Sequence, residues 1–408
     1  MGGAARTNVP GAPGLREPRA LVPGYCRHPM KRPPDETRTG VVEIVKVFLG
    51  LGCVAFGGPV AHVALMRRSV VERRRWVDQQ EFSELFAACQ LIPGPTSTEL
   101  AVLLGYRRAG WRGLAAAAAC FIAPAAVLMT AIAAVYQRYG ERTLAREMLG
   151  GVTPVVVGIV VWAVLDLARR SVRTIEVLAV GVAVAVAASF INQPIALLAA
   201  GGAVVAVVRL LRRGGGLRAV LPWTGAQLTA TTAGAATPSL ALIFLTFLKL
   251  GAVAFGSGYV LLVLLRSEFV LSLHWLTERQ VVDAIAVSQA TPGPVFTAAT
   301  FIGYLIAGLA GAVLATIAIF LPGVALVPLL HRVFEVVRRH LVLTDALAGV
   351  NVAALGLIAA TAIVLGHDAF TSAEPVVIAV VSLLVLLRWP LMTPLLVVAG
   401  AATGALWH

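Results

Sequence analysis

Residues 90–95, with the sequence QLIPGP, recur as QATPGP at residues 289–294, which is 199 positions further along the chain. Both copies lie within long apolar stretches. Proline and glycine interrupt a helix and free backbone N–H and C=O groups, which hydrocarbon does not tolerate. Such a break survives inside a membrane only where it is buried in protein or borders a watery cavity. The repeated segment therefore predicts a helical membrane protein with two matched, broken helices.

The composition supports a membrane protein. Of the 408 residues, 59% are hydrophobic and 13% are charged, and the mean hydropathy is +0.87, whereas a soluble domain is about half apolar and a quarter charged. This balance excludes a disordered chain, a fibrous repeat and an ordinary water-soluble enzyme. A crossing needs about 20 apolar residues, and the apolar runs predict about ten to thirteen membrane segments. These runs do not alternate as barrel strands do, so the predicted fold is an all-α polytopic bundle.

The chain contains two copies of one unit. Residues 48–57, FLGLGCVAFG, match residues 247–256, FLKLGAVAFG, at the same offset as the two PGP segments. Beyond PGP the offset falls to 198, because one residue is lost. At that offset Gly105, Gly110, Gly113 and Pro124 match Gly303, Gly308, Gly311 and Pro322. The predicted organisation is a disordered basic tail (1–40), a first repeat (41–208), a linker (209–239) and a second repeat (240–408).

Charge indicates how the two repeats are oriented. Residues 67–75 contain five basic residues and one acidic residue, whereas their counterparts 266–274 balance Arg266 against Glu268. Short cytoplasmic loops collect Lys and Arg, so the two segments are expected on opposite sides of the membrane. The basic tail opposes this assignment if residues 41–66 cross fully, and a re-entrant segment there removes the conflict. The sequence thus predicts an inverted-topology repeat with broken or re-entrant helices.

Several functional classes are excluded or unsupported. The net charge of +13 is explained by cytoplasmic loops and anionic lipid contact, and no nucleic-acid motif accompanies it. The four cysteines form no CxxC pair, so neither a disulfide framework nor a metal site is expected. None of the three lysines follows a glycine, which excludes a P-loop and ATP hydrolysis. No cofactor and no enzymatic activity are predicted.

The matched breaks are the candidate binding site. Interruptions at corresponding places in two halves are the best sequence indication of a transporter's site, although Gly and Pro also serve simply as kinks or packing contacts. A helix that begins after PGP presents free N–H groups and a positive dipole end, which favour a small oxyanion. Gln90 and Gln289 are expected to donate amide hydrogens to it. The predicted substrate-binding residues are Gly57, Gly58, Pro59, Gln90, Pro93, Gly94, Pro95, Thr96, Ser97, Gly256, Ser257, Gln289, Pro292, Gly293 and Pro294.

Four further residues are electrostatic or proton candidates. Glu99 is an acid within an apolar segment and is a candidate proton carrier; the alternative is a helix cap of the type Thr96-x-x-Glu99. His62 follows the first break and either faces the cavity or packs as a neutral histidine. Arg67 and Arg266 occupy matching positions in the two repeats and are expected to attract the anion at each mouth.

At these residues the sequence resembles the chromate ion transporter family in its two-domain form. The likeness rests on FGGP at 56–59, RRSVVERRRW at 67–76, CQLIPGP at 89–95 and GYRRAGWRG at 105–113. It covers about residues 41–366 and continues more weakly to the end. Residues 256–258, Gly-Ser-Gly, depart from the pattern because they lack the proline of the first copy. The positions carried over are Gly57, Gly58, Pro59, Gln90, Pro93, Gly94, Pro95 and their second-repeat counterparts.

The resemblance implies a multi-pass protein of the bacterial cytoplasmic membrane that exports chromate and confers resistance to it. It also implies that the proton gradient or membrane potential drives export. Chromate is a tetrahedral dianion nearly isosteric with sulfate, so transport of sulfate or another oxyanion is a second hypothesis. A membrane enzyme or a non-transporting scaffold is a third hypothesis of a different class. The expected partners are the oxyanion and the lipid bilayer, without nucleic acid, and assembly into a homo-oligomer is left open.

Overall fold

The computed structural model describes residues 38–56, 58–140, 143–172, 174–212, 238–255, 260–330, 340–370 and 372–407. These residues form fourteen α-helices with short π and 3₁₀ turns, and they contain no strand. In the first repeat the helices are α1 (Arg38–Val54), α2 (Gly58–Arg67), α3 (Gln79–Cys89), α4 (Thr96–Tyr139), α5 (Thr143–Ser171), α6 (Ile175–Ala188) and α7 (Pro194–Arg212). In the second they are α8 (Leu240–Val253), α9 (Val260–Leu265), α10 (Glu278–Ala290), α11 (Ala298–Leu326), α12 (Leu341–Ala369), α13 (Ala373–Arg388) and α14 (Thr393–Trp407).

The ends of the predicted segments differ slightly from those of the helices. Residues 1–37 of the predicted tail lie outside the described ranges, and α1 begins at Arg38. The predicted linker 209–239 overlaps the last turn of α7, which continues to Arg212 and in which Arg209 pairs with Asp345 of α12 at 2.8 Å. Residues 213–237 of that linker are likewise outside the described residues.

The two repeats fold alike at their most unusual positions. Each has a π-helical turn after its second helix, Arg68–Arg73 in one and Arg266–Ser272 in the other. Arg75 and His274, 199 positions apart, both adopt left-handed φ angles, 52° and 54°. A left-handed φ is uncommon for residues other than glycine. Its occurrence at matching positions shows that the duplication preserves backbone geometry as well as sequence.

Two of the helices reverse direction within their length. In α4 the turn falls at Ala109 and Gly110, whose φ is 56°, and in α11 it falls at Ala307 and Gly308, whose φ is 59°. Gly110 and Gly308 thus have a positive φ, which only glycine adopts readily. Each reversal produces a short limb and a long limb: residues 96–108 and 111–139 in α4, and residues 298–306 and 309–326 in α11. The two limbs pack closely through glycine, with Gly105 against Gly113 in the first repeat.

The short limb of α4 also folds back along α3. Glu81, near the start of α3, pairs with Arg107 at the far end of the short limb at 2.5 Å. PGP therefore lies at the tip of a helical hairpin. Glu43 near the start of α1 pairs with Arg108 at 3.2 Å and accepts a hydrogen bond from Trp76. The α1–α2 pair is accordingly a second hairpin with its base at the same place.

The hairpin limbs are too short to cross a bilayer. Their 10 to 17 residues extend about 15–25 Å at 1.5 Å per residue, against a hydrocarbon core of about 30 Å. This confirms the prediction of broken, re-entrant helices. Five described stretches are long and apolar enough to cross, namely Thr96–Tyr139, Glu147–Arg169, Pro194–Arg212, Val295–Leu329 and Val342–Ala369. Fewer helices thus meet the length of a crossing than the sequence prediction counted, because several apolar runs there are hairpin limbs.

Contacts between the repeats occur in exchanged pairs. Helix α5 of the first repeat packs on α13 and α14 of the second, and its counterpart α12 packs on α6 and α7 of the first. Gly151 lies against Gly400, while Gly349 lies against Gly202. Gly349 follows Gly151 by 198 positions, and Gly400 follows Gly202 by the same number. The two contacts are therefore counterparts, and a pseudo-two-fold axis relates the repeats. Small residues allow this close approach of helix backbones, as is usual in membranes.

The hydrophobic cores follow the same exchange. One cluster joins the hairpins of the first repeat with Val327 and Leu330, which lie at the end of the second repeat's long limb. The other joins the hairpins of the second repeat with Met129 and Ala133 on the first repeat's long limb. Each long limb therefore starts within its own repeat and ends against the hairpins of the other.

Adjacent glycines in α5 test the packing between repeats. A Cβ on Gly151 would meet the main chain of Gly400 and Gly404, whereas a Cβ on Gly150 has nothing within 4 Å. Gly151→Ala should lower stability by about 1–3 kcal/mol through overpacking. Gly150→Ala should be neutral or slightly stabilising, because alanine is the better helix former. Thermal denaturation in mild detergent measures both, and equal midpoints for the two variants would contradict this packing.

Candidate functional site

The tips of the hairpins from the two repeats bind one another through main-chain hydrogen bonds. The Gly94 N–H donates to the Ala254 carbonyl at 2.7 Å, and the Gly293 N–H donates to the Ala55 carbonyl at 3.0 Å. The PGP tip of each repeat is thus bonded to a residue that lies two positions before the first break of the other. The two bonds are equivalent under the pseudo-two-fold axis. The structure therefore brings the two PGP segments together with Ala55 and Ala254.

Both PGP glycines are in conformations that other residues rarely adopt. Their φ angles are 125° at Gly94 and 100° at Gly293, which lie in the region that favours glycine. A Cβ at Gly293 would lie 2.5 Å from that of Ala125 on the first repeat's long limb, and Gly94 faces the matching Gly323 of the second repeat. Each long limb therefore passes directly beside the tip from the opposite repeat.

The short limb of α4 presents its N-terminus at this junction. It begins at Thr96, and no side chain caps it because Pro95 occupies the N-cap position. Thr96, Ser97 and Thr98 are all buried. The first N–H groups of a helix have no acceptor within the helix, and this end carries the positive pole of the dipole. The chain thus places uncapped helix donors beside PGP, away from water.

Glu99 in the first turn of this limb is the most unusual side chain of the site. It is 1% exposed, and neither carboxylate oxygen has a hydrogen-bond partner. One of these oxygens lies against Gly94 and Gly323. The capping-box alternative is wrong, because a cap would accept a hydrogen bond from the Thr96 N–H. Burial of an acid without a hydrogen-bond partner costs several kcal/mol. An acid at such a position within a membrane is typical of a functional residue.

His62 connects the first break to the α4 N-terminus. Its Nε2 lies 2.9 Å from the Ala55 carbonyl, and its Nδ1 lies 3.2 Å from the Ser97 hydroxyl. A carbonyl only accepts, so Nε2 carries a hydrogen, and in the neutral ring Nδ1 accepts from Ser97. The edge of the ring also packs on Phe121, with centroids 5.6 Å apart. His62 is therefore both buried and hydrogen-bonded at the junction.

The titratable side chains described at the junction, His62 and Glu99, come from the first repeat. At the offset of 199 the counterpart of His62 is Leu261. Residues 297–299, which correspond to Glu99 and its neighbours, are Thr-Ala-Ala and include no acid. The second repeat instead has the uncharged buried side chains of Gln289, Thr291 and Thr297. The backbone geometry is duplicated, whereas the two titratable side chains are not.

The two predicted glutamines lie in different surroundings. Gln90, at the end of α3, is exposed, whereas Gln289 near the end of α10 is 3% exposed. The two arginines are already paired with acids: Arg67 lies 3.5 Å from Glu72, and Arg266 pairs with Glu278. Both arginines lie at the end of the second hairpin limb, away from the tips.

The other predicted residues are placed as follows. Pro93 and Pro95 are buried on either side of Gly94, and Pro292 and Pro294 flank Gly293 ahead of a 3₁₀ turn. Gly58 and Pro59 form the first turn of α2. Gly57, Gly256 and Ser257 lie outside the described residues.

Two features were not predicted from the sequence. The carbonyls of Ala55 and Ala254 are the acceptors that join the repeats; their place in the repeated VAFG motif is the one signal that marks them. Asp283 on α10 is buried and accepts a hydrogen bond from Tyr136 at 2.8 Å, with Arg279 3.8 Å away. Its counterpart at offset 199 is Glu84, so an alignment of acids would have drawn attention to it.

Comparisons with known proteins agree with this architecture. The profile of the family described as chromate transporter matches the chain twice, at residues 42–207 and 241–405. The chromate transport protein of Cupriavidus metallidurans is 33% identical over 399 residues, which cover 91% of this chain and 96% of that protein. The probable chromate transport protein of Synechococcus elongatus is 32% identical, with 90% and 95% covered.

A third relative, the chromate transport protein of Pseudomonas aeruginosa, is 33% identical over 331 residues, which cover 78% of this chain and 79% of that protein. No solved structure matches the chain. The family profile spans most of the sequence, and its two matches carry the two sets of re-entrant hairpins. The chain is a multi-pass membrane protein that belongs to the chromate transporter family.

Proposed function

We propose that this protein exports chromate across the bacterial cytoplasmic membrane as a secondary transporter and so confers resistance to chromate. The relatives named chromate transport proteins support the substrate. The observation that carries the proposal is the buried, uncapped start of α4 at Thr96, held beside the PGP tip by hydrogen bonds between the repeats. A sulfate transporter would use the same donors, so the competitor in the assay decides between the two anions.

The chemistry of the junction suits a tetrahedral dianion. Free N–H groups at a helix start bind phosphate-like anions without a counter-charge, and the hydroxyl of Thr96 adds a neutral donor. A site built from neutral donors holds the dianion and also releases it. We assign Gly94, Thr96 and Ser97 to the substrate, with the corresponding PGP of the second repeat closing the opposite side.

Glu99 links substrate binding to a proton. An ionised carboxylate beside the α4 N-terminus repels a dianion, and in a low-dielectric interior that repulsion is strong. Substrate and negative charge on Glu99 therefore exclude each other, so the dianion binds when Glu99 carries a proton. A dianion that leaves with one proton carries one net negative charge outward. A membrane potential that is negative inside favours this movement by about 2.3 kcal/mol per 100 mV.

We also propose that the two repeats have inverted topology. The long limb of α4 starts next to Arg108, which pairs with Glu43 at the base of the first repeat's hairpins. Twenty-five residues beyond the start of this limb, Tyr136 hydrogen-bonds Asp283 near the base of α10. That length of helix is about 38 Å, more than the hydrocarbon core of about 30 Å. Hairpins that enter from opposite faces account for both contacts.

Export is tested by chromate uptake into everted membrane vesicles, with sulfate as competitor. Vesicles containing the protein should accumulate chromate. Gly94→Ala forces a left-handed φ on alanine at a cost of about 1–3 kcal/mol and meets Glu99, so uptake should fall about tenfold or more. Gly150→Ala, in open space on α5, should retain uptake and is the matched control. Inserted protein without chromate flux, or preferred sulfate flux, would reject the chromate assignment.

The role of Glu99 is tested by the pH dependence of chromate binding to purified protein, measured by calorimetry from pH 7 to 9. Affinity of the wild type should fall as pH rises, because Glu99 then loses its proton. Glu99→Gln should bind at every pH with little change relative to pH 7. Comparison at equal pH cancels titration of the anion itself.

The exposed acid Glu72 provides the control for that experiment, and Glu72→Gln should follow the wild type. If Glu99→Gln keeps the full pH dependence of the wild type, the proposed role of Glu99 is rejected.

Inversion is tested by reporter fusions or impermeant labels at residues 67–75 and 266–274. The two segments follow the matching hairpins of the two repeats, so they should be detected on opposite sides of the membrane. Detection of both on the same side would reject inversion and leave the export proposal standing.

A further inference from the structure

One pair of elements departs from the pseudo-two-fold symmetry. Val282, Ala286 and Gln289, spaced along one face of α10, are buried, and Ala286 is 0% exposed. Their counterparts on α3 at offset 199 are Ser83, Ala87 and Gln90, and all three are exposed. Positions i, i+4 and i+7 lie on one face of a helix. The same helix face is therefore covered in the second repeat and uncovered in the first.

The helices that cover the second repeat's hairpins identify what is missing in the first. Helix α10 packs on α5 and α14, and α9 packs on α12 and α7. If each of these helices is replaced by its counterpart in the other repeat, the same contacts would join α3 to α12 and α7, and α2 to α5 and α14. The described part of the chain has no comparable packing at those places. Ala64 on α2 is accordingly exposed, whereas its counterpart Val263 is buried.

The uncovered face is not suited to lipid. Alongside Ser83 and Gln90 it carries Gln80 and Glu84, which hydrogen-bond each other at 3.1 Å. Polar side chains on hydrocarbon are costly, and in membrane proteins they face the protein interior or water. The face is therefore expected to contact water rather than lipid. It extends to Gln90, three residues before PGP.

We propose that the structure is one of two access states, in which the first repeat's hairpins are undocked and those of the second are docked. In the other state α2 and α3 close onto α5, α14, α7 and α12, and α9 and α10 are released. The PGP junction is then reached alternately past Gln90 and past Gln289. This inference rests on the proposed transport function for its purpose, and on the broken symmetry for its geometry.

The hydrogen bonds between the tips couple the two hairpin pairs. Gly94 is held by Ala254 and Gly293 by Ala55, so movement of one repeat's tips displaces those of the other. Exchange of the two arrangements keeps both bonds equivalent. A molecule with this symmetry has two related arrangements, and a ligand shifts their populations only through its different affinity for each.

Crosslinking tests the second state without substrate. The docked hairpin is marked by a hydrogen bond from the Ser267 hydroxyl to Asn192 at 3.2 Å. The symmetry-related positions are Arg68 (offset 199) and Pro390 (offset 198), of which Arg68 is exposed. In a chain whose native cysteines are replaced by alanine, we expect a short bifunctional thiol reagent to join Asn192→Cys with Ser267→Cys, and also Arg68→Cys with Pro390→Cys. Joining of the first pair alone would overturn the proposal.

Labelling of a chain whose native cysteines are replaced provides an independent measurement. A hydrophilic maleimide should react with both Ala87→Cys and Ala286→Cys, because each position is exposed in one of the two states. Complete protection of Ala286→Cys would count against two states.

A bulky residue on the uncovered face tests whether closure is needed for transport. Ala87 is exposed, so Ala87→Trp should insert and fold, yet the docked face has no room at the matching Ala286. Chromate flux should fall about tenfold or more through overpacking of the closed state. Leu384→Trp, at a 60% exposed position of α13, should retain flux. Full flux in Ala87→Trp would overturn the proposal.

The outcomes separate this inference from the proposed function. If both crosslinks form but chromate is not moved, the export assignment is rejected and the two states remain. If chromate is moved but the Arg68–Pro390 pair never joins, the inference fails and export stands.

Discussion

The arrangement of this molecule depends on two main-chain hydrogen bonds, from Gly94 to Ala254 and from Gly293 to Ala55. A helix broken within a membrane leaves polar backbone groups that must find partners inside the protein. Here the N–H group of each PGP glycine is bonded to a carbonyl of the other repeat. The requirement explains why PGP and VAFG occur together in both halves, since neither motif satisfies its backbone alone. It also explains why the glycines cannot be replaced freely, because only glycine brings its N–H to that position at a positive φ.

The sequence predicted the helical class, the duplication and the broken helices, because these depend on composition, spacing and the chemistry of proline and glycine. Beyond residues 41–66, for which a re-entrant segment was offered, it did not predict which apolar runs are hairpin limbs. That distinction depends on contacts such as Glu81 with Arg107, which join residues with no local pattern. The sequence predicted the PGP backbone of the candidate site, but it did not predict the carbonyls of Ala55 and Ala254 that bind it. Gln90 and Gln289 have the same local sequence signal, yet one is exposed and the other buried, since tertiary packing differs around identical motifs.

Duplication and divergence have acted on different parts of the junction. The backbone turns, the left-handed residues and the glycine contacts are kept in both repeats, because a pseudo-two-fold interface needs both halves to match. His62 and Glu99 occur in the first repeat, where the second has Leu261 and the acid-free residues 297–299. Symmetry therefore provides the scaffold, whereas the two titratable side chains break it.

The exchange of helices between repeats also governs how the chain is made. Gly151 packs against Gly400, and 249 residues separate them. At ribosomal rates of about 5–20 residues per second, that interval is roughly 12–50 s. During this interval Gly151 of α5 is in the bilayer without the residues that it packs against in the folded protein. The newly inserted first repeat is thus exposed to mispairing and proteolysis until translation ends, and lipid or insertion factors must shield this part of α5 meanwhile.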